Sequence, residues 1–554
     1  MTALPPIGTF ADYMNPTWSQ QYDPLHHPVW STLVAAIPIL TLLGSIAILR
    51  VRAHYAALLG LAAAMIVAIA VVGMPAPMAI RASLLGAGYG LLPIGWIILN
   101  VIFLYQLTTE KGLFVVLQRS LSGITADRRL QLVLIAFSFG AFFEGAAGFG
   151  APVAVIGALL LGLGFTPIQA SGFALLANTA PVAFGALGAP LIGLHGVTEI
   201  DLKALSAMVG RQLPFFSVLI PIWLVLAYAG FKKTLAVWPA LLVAGITFAI
   251  PQYLISNYHG PWLVDVVSAV ISMACVTLLL KFWHPKDAPR EPVAASSPDE
   301  RREVIRAWTP WAILSVVVFL WGIPQVKTIL DNLSKPTLEM AGLHNLVLRV
   351  PPVVIAPKAE AAVFTLNWLS ASGTGILVAA LIAALVMGYT PREIVRVYWK
   401  TLGIVKLSLL TIAAMLAIGF LTRYSGTDAI LGLAFARTGV WYPFFGTMLG
   451  WLGVALTGSD TSSNVLFGSL QKITATQLGI SPTLMAAANS SGGVMGKMID
   501  MQSIVVASTT TRWYGHEWEI LRFVFFHSLA LAALVGGLVT LEAYVYPFTS
   551  LVVR

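Results

Sequence analysis

The sequence predicts an all-α polytopic membrane protein, with about twelve transmembrane helices and two re-entrant helical hairpins in an inverted repeat. Three observations predict it. The chain of 554 residues is 58% hydrophobic and only 10% charged, against about 25% charged in an average soluble domain. Its apolar runs recur at about the 20-residue length that crosses a bilayer. Two glycine-rich polar stretches, 140–190 and 453–501, lie inside those runs and read as diverged copies of one another. Lipid cannot hydrogen-bond a freed backbone, so a helix broken at membrane depth must face protein or a water-filled cavity.

The elements follow in order. An external N-terminal segment, 1–28, is polar and carries no positive region ahead of an apolar stretch, so it does not read as a signal peptide. The first membrane half, 29–283, opens with apolar spans at 29–49, 55–73 and 84–108. Segment 130–164 has two apolar arms around Glu144–Gly150 and reads as a hairpin entering and leaving on one side. Span 167–190 is broken at Asn178-Thr179-Ala180-Pro181, because Pro181 lacks an N–H and kinks its helix. Spans 211–231, 234–252 and 262–283 complete that half. Residues 284–306 are rich in proline and charge and read as a flexible cytoplasmic linker. The second half, 307–547, has spans at 308–323, 371–388, 401–422, 482–506 and 520–547, an outer loop at 324–365, and a second hairpin at 441–476. Within span 482–506 a second break is expected at Asn489–Gly493. An external tail, 548–554, ends the chain.

Loop charge orients this arrangement. Arg50 and Arg52, Arg119 with Arg128-Arg129, Lys232-Lys233, the 281–306 stretch, Arg392 with Arg396 and Lys400, and Arg512 all fall on one face. Basic loops stay cytoplasmic, which leaves both termini outside. The net charge of +9 is accounted for by these loops and does not call for nucleic acid. Cys275 stands alone, so an intramolecular disulfide or a cysteine-based metal site is excluded. Pairing Pro75 with Pro391, Gly140 with Gly453, Pro167 with Pro482 and Asn178 with Asn489 gives offsets of 316, 313, 315 and 311 residues. Under the span order an odd number of crossings separates the two copies, so they are inverted, the common arrangement of secondary transporters.

Chemistry is expected where the copies meet. Glu144 sits at the first hairpin's turn, where a carboxylate costs about 2.5–3.5 kcal/mol on insertion scales; it either handles a proton or caps freed N–H groups. Gly145, Gly148 and Gly150 suit close backbone approach to an anion, and equally suit tight helix packing. The second turn supplies Ser459, Asp460, Thr461, Ser462, Ser463 and Asn464, whose hydroxyl and amide groups can hold a carboxylate, a hydroxyl or an alkali cation; Asp460 titrates or caps a half-helix. Asn178 and Thr179, with Asn489, Ser490 and Ser491, are expected beside the same cavity. Lys497 either neutralises an anionic substrate, pairs with Asp500 or snorkels. Lys406 and Arg423 lie near span ends and His195 in a loop, where structural roles compete with functional ones.

These residues resemble the bacterial L-lactate permease family. The resemblance rests on Phe142 through Pro152, Ala177 through Gly185, Thr457 through Asn464, Ala488-Asn489 and Gly496-Lys497-Met498, and it spans nearly all of 30–547. It implies proton-coupled uptake of lactate and glycolate across a bacterial cytoplasmic (inner) membrane, and kinship with a wider ion-transporter superfamily in which paired re-entrant hairpins belong to a mobile domain. Members typically continue Lys-Met-Ile with Ser-Pro-Gln, whereas this chain has Asp500-Met501-Gln502. The expected partners are a small monocarboxylate, protons and lipid, with a homodimer left open, and no cofactor or catalytic metal is implied. A sodium-coupled carboxylate transporter is the nearer rival. An integral-membrane enzyme is the remoter one, since the chain has no H-E-x-x-H, G-x-S-x-G or Walker-type pattern.

Overall fold

The computed structural model describes residues 17–553, except 48, 50, 123, 147–150, 286 and 288–297. The first half contains α1 (Pro28–Ala47), α2 (Ala53–Ile66), α3 (Ala76–Tyr89), α4 (Trp96–Glu110), α5 (Arg128–Ala146), α6 (Ala151–Gly162), α7 (Pro167–Ala177), α8 (Gly185–Thr198), α9 (Leu202–Ala229), α10 (Trp238–Tyr258) and α11 (Val264–Phe282). The second contains α12 (Pro298–Gly322), α13 (Ser372–Val386), α14 (Pro391–Ser425), α15 (Thr427–Phe435), α16 (Tyr442–Thr457), α17 (Asp460–Leu478), α18 (Pro482–Gly496), α19 (Met501–Thr510) and α20 (Glu517–Tyr544). Among the described residues, eleven helices are long and apolar enough to cross a membrane, or twelve if the pair bent by 62° at 178–181 is one span.

Local sequence sets where these helices begin. Thr166 caps α7 through a reciprocal capping box with Gln169, and Thr390 does the same for α14 with Glu393. Ser481 caps α18, and Pro167, Pro391 and Pro482 each occupy the first helical position, where a missing N–H costs nothing. The two halves therefore enter α7 and α18 by the same device, a hydroxyl cap followed by proline. In each half two helices close together in sequence come just before, α5 with α6 and α16 with α17.

The helix α14 runs for 35 residues. Near one end Lys400 pairs with Glu110 at 2.6 Å; near the other Arg423 reaches Glu199 at 2.6 Å and Glu360 at 2.7 Å. Those 23 positions span about 35 Å of helix, close to the ~30 Å apolar core of a bilayer. Three basic segments also meet: Arg129 bonds Asp287 at 2.8 Å and the Lys233 carbonyl at 3.1 Å. Gln20, at the chain's N-terminal side, donates to the carbonyls of Arg423 and Tyr424, which places that segment at the Arg423 end.

The structure corrects four expectations. The fold is not purely helical. β1 (Trp18–Ser19) pairs in parallel with β3 (Val347–Arg349), which pairs antiparallel with β4 (Lys358–Ala359), and β2 (Thr337–Glu339) pairs antiparallel with β5 (Val363–Thr365). These extended pieces organise the 324–365 loop, which also contains a helix at Pro324–Leu333. The helix opening the second half starts at Pro298, so residues 298–306 are helical and not linker. The span predicted at 84–108 begins earlier and runs over Ala76–Glu110. Finally, Asn489–Gly493 does not break its helix. α18 continues to Gly496, and the break falls at Lys497–Asp500, where a single 3₁₀ turn gives way to extended backbone. Gly492 and Gly493 instead admit neighbours: a Cβ on Gly492 would lie 2.3 Å from the Thr447 carbonyl oxygen, and one on Gly493 2.5 Å from Asp460 Oδ1.

Candidate functional site

One cavity of about 230 Å³ collects most of the chemistry-bearing residues. Glu144 enters it from the end of α5. Gly185, Ala189 and Pro190 come from the start of α8, and Thr457 through Ser462 from the α16–α17 turn. Lys497 closes one side at the end of α18, with Gln502 and Ser503 from α19 beside it, and Ser408 and Thr411 line it from mid-α14. Ala189 and Pro190, just past the left-handed stretch Ala186–Gly188, line it together with first-turn residues of α17 and α19. Helix N-termini present unsatisfied N–H groups and the positive end of the dipole; at α17 and α19 part of that demand is met within the chain, Ser459 Oγ accepting the Ser462 N–H and Asp500 the Ser503 N–H.

The turn between α16 and α17 is held by specific contacts. Gly458 takes a left-handed conformation, φ +72°, and a Cβ there would meet Asp500 Oδ1 at 2.9 Å. Lys497 Nζ donates to the Gly458 carbonyl at 2.7 Å and pairs with Asp500 at 3.1 Å. Asp500 in turn caps α19 by accepting from the Ser503 N–H at 2.8 Å. Asp460 Oδ2 accepts from Ser490 Oγ at 2.5 Å and from Asn464 Nδ2 at 3.2 Å, while Oδ1 has no partner among the described residues. Behind it Asn489 donates to Asn464 at 3.0 Å and accepts from Gln471 at 3.1 Å, and Gln471 accepts from the Tyr442 hydroxyl at 2.6 Å. Such a buried, connected network holds α16, α17 and α18 in one register.

Glu144 is seated differently. Its side chain is buried, Oε2 has no partner among the described residues, and Oε1 lies where a Cβ on residue 185 would come within 2.7 Å. Glycine at 185 is what admits the carboxyl.

Residues 31–546 match the family model described as L-lactate permease. The glycolate permease GlcA of Escherichia coli (strain K12) is 45% identical over 96% of this chain and 99% of its own length. An L-lactate permease of Bacillus subtilis (strain 168) is 43% identical over 96% and 99%, and one of Escherichia coli (strain K12) is 43% identical over 95% and 98%. The chain belongs to the L-lactate permease family. Two solved structures also overlap it: the YdaH transporter of Alcanivorax borkumensis, with TM-score 0.42, 15% identity and 83% and 87% of the two chains covered, and MtrF of Neisseria gonorrhoeae, with 0.43, 14%, 83% and 83%.

Set against this L-lactate permease framework, the predicted residues separate into groups. Glu144, Ser459, Asp460, Thr461, Ser462 and Lys497 line the cavity. Ser463, Asn464, Asn489 and Ser490 stand one layer behind it, Ser463 donating to the Gly450 carbonyl at 3.1 Å. Ser491 turns toward α9 and donates to Gln212 Oε1 at 2.7 Å, and Gln212 donates to Glu542 at 2.8 Å. Asn178 is the C-cap of α7, and Thr179 donates to the Leu176 carbonyl. Gly145 packs on α11, where a Cβ would lie 2.6 Å from Asp265 Cβ. Gly148 and Gly150 lie outside the described residues.

His195 is not in a loop: it lies in the last turn of α8, with its Nδ1 2.7 Å from the Ile200 carbonyl oxygen just beyond that helix. Lys406 is exposed on α14, and Arg423 is committed to Glu360 and Glu199 and does not line the cavity. Sequence reading missed Ser408 and Thr411, although two hydroxyls three apart in the apolar span 401–422 were a usable signal. It also passed over Ser503. Among the described residues no cluster of three metal-ligating side chains occurs.

Proposed function

We propose that this protein is a secondary active transporter that takes up L-lactate and related 2-hydroxymonocarboxylates, D-lactate and glycolate among them, together with protons. The observation that carries this reading is a small cavity in which one lysine, two carboxyls and a row of hydroxyls converge. Relatives named glycolate permease and L-lactate permease supply the substrate class. In this reading the substrate carboxylate faces Lys497 and the first turn of α17. Its 2-hydroxyl is held by Ser459, Thr461 or Ser462, while Ser408 and Thr411 form the opposite wall. Glu144, aided by Asp460, carries the proton. One proton with one anion moves no net charge, so a pH gradient alone drives uptake; a second proton would add about 2.3 kcal/mol per 100 mV.

The same reading makes α5–α6 and α16–α17 re-entrant hairpins of two inverted halves, 29–283 and 307–547, which move as a unit against the remaining helices to alternate access. It places the basic loops in the cytoplasm of a bacterial inner membrane and both termini outside. The deciding experiment is radiolabelled lactate uptake into proteoliposomes under an imposed pH gradient, with unlabelled 2-hydroxy acids competing. Accumulation that follows the pH gradient and is blocked by glycolate supports symport. Uptake indifferent to the gradient but lost without sodium at fixed pH replaces it with sodium coupling at the hydroxyl-rich turn.

A further inference from the structure

One stripe of α14 passes from the cavity to a seal and then to an ion pair. Thr411, Met415, Gly419 and Arg423 recur every four residues and so share a face of the helix. Thr411 and Met415 line the cavity. A turn further on, Gly419 is pinched between two other walls: a Cβ there would lie 2.7 Å from Val465 Cγ1 of α17 and 3.0 Å from Val197 Cγ1 of α8. Both valines are buried. Another turn on, Arg423 pairs at 2.6 Å with Glu199, the residue that ends α8. Packing thus closes the cavity toward the Arg423 end, with the ion pair beyond it. A different part of the lining reaches the surface, where Gln502 is exposed and Ala53, beside Arg52, is half-buried.

The seal is built so that it can part. α8 and α17 hold one another: Asn464 donates to the Pro190 carbonyl at 3.3 Å, Lys472 Nζ donates to the Thr198 carbonyl at 2.6 Å, and a Cβ on Gly468 would lie 2.5 Å from Leu194 Cδ1. Against α14 the two valines rest on a glycine, which has no side chain to interlock with them. The Glu199 side chain is 57% exposed, so breaking its ion pair returns a carboxylate to water at little cost. Arg423 is buried, but it keeps Glu360 at 2.7 Å and is not left as an uncompensated charge.

We infer that Val197, Val465 and Gly419 form a gate over the substrate cavity, latched by Glu199 and Arg423, which opens when α8 and α17 move together away from α14. The inference rests on the transporter reading and gives its alternating access a named seal. In this conformation the gate is shut, and the way out of the cavity lies on the side of Ala53 and Gln502.

The test locks the gate. In a Cys275→Ser background, which removes the lone native thiol, Val197→Cys and Gly419→Cys place two thiols across the seal, near enough for a disulfide. Lactate uptake and lactate exchange in proteoliposomes are both expected to fall in proportion to the fraction oxidised, and dithiothreitol to restore them. Undiminished transport by the cross-linked protein in either mode overturns the gate. Wild-type protein that moves no lactate removes the transporter reading itself. Should the reduced double variant be inactive or fail to cross-link, Glu199→Gln decides, with Ser408→Cys as the reporter in the same background. An impermeant thiol reagent is applied to cells and to inverted vesicles, and Glu199→Cys identifies the face on which the latch lies. Glu199→Gln is expected to raise cavity labelling from that face several-fold; unchanged labelling overturns the latch and the gate.

Discussion

Glu144 and Lys497 carry opposite charges into one cavity, and their surroundings set different consequences for losing either. Glu144→Gln keeps the shape and removes the titration. Its expected outcome is loss of pH-driven lactate accumulation with lactate exchange retained, measured in proteoliposomes; unchanged accumulation would remove Glu144 from the coupling step. Lys497 has structural work besides, because it holds the Gly458 carbonyl and neutralises Asp500, which is fully buried. Lys497→Met therefore strands a buried carboxylate, at about 3–5 kcal/mol, and thermal unfolding in detergent should show it. Adding Asp500→Ser should restore most of the melting temperature but not uptake. Recovery of both would mean that the lysine is only a strut. The acid at 500 is where this chain departs from the pattern its family resemblance implies, and Lys497 and the α19 cap absorb it.

Between elements, tight packing is concentrated where α18 crosses α16. Gly450 on α16 lies so close to α18 that a Cβ would sit 2.1 Å from the Asn489 carbonyl oxygen, and a Cβ on Gly496 2.3 Å from that of Trp451. Backbone cannot move aside as a side chain can, so Gly450→Ala is expected to destabilise by about 1–3 kcal/mol. It should also disturb the Asn464–Asn489–Gln471 network. Gly537→Ala on α20 is the matched control, since nothing lies within 4 Å of a Cβ there. Relief of helical glycine entropy should stabilise it by roughly 0.5–1 kcal/mol. Equal melting shifts for the two variants would contradict the close crossing. These glycines explain why Asn489–Gly493 misled as a break: the same small residues that let a helix unwind also let two helices touch, and composition alone does not choose between them.

Across the whole molecule, an ionic belt fastens the end where the small sheets lie. Arg349 pairs with Glu360 at 2.9 Å, Glu360 with Arg423, and Arg423 with Glu199 just beyond α8. Burial pushes the Glu199 carboxyl up, but the Arg423 charge and hydrogen bond outweigh it and hold it below its ordinary 4.5. A carboxyl lowered in the folded state contributes stability above its unfolded value, and that contribution fades as pH falls through the folded value. The melting temperature should thus drop with acidification below about pH 4.5, and Glu199→Gln should flatten that drop; an identical slope in both proteins would deny the belt a role. Apolar run length and the scarcity of charge were enough, by themselves, to read a polytopic membrane protein, and the polar run 457–464 pointed to residues of which Thr457 through Ser462 line one cavity. They were enough because a bilayer imposes span length and backbone satisfaction on every segment separately, so each leaves its mark locally. Tertiary structure alone decided that Ser408 and Thr411 complete the cavity, that Arg423 belongs to the belt, that Gly145 packs on Asp265, and that α18 breaks at Lys497–Asp500. Those facts depend on which distant residues come within a few ångströms, and no local pattern of the chain encodes that.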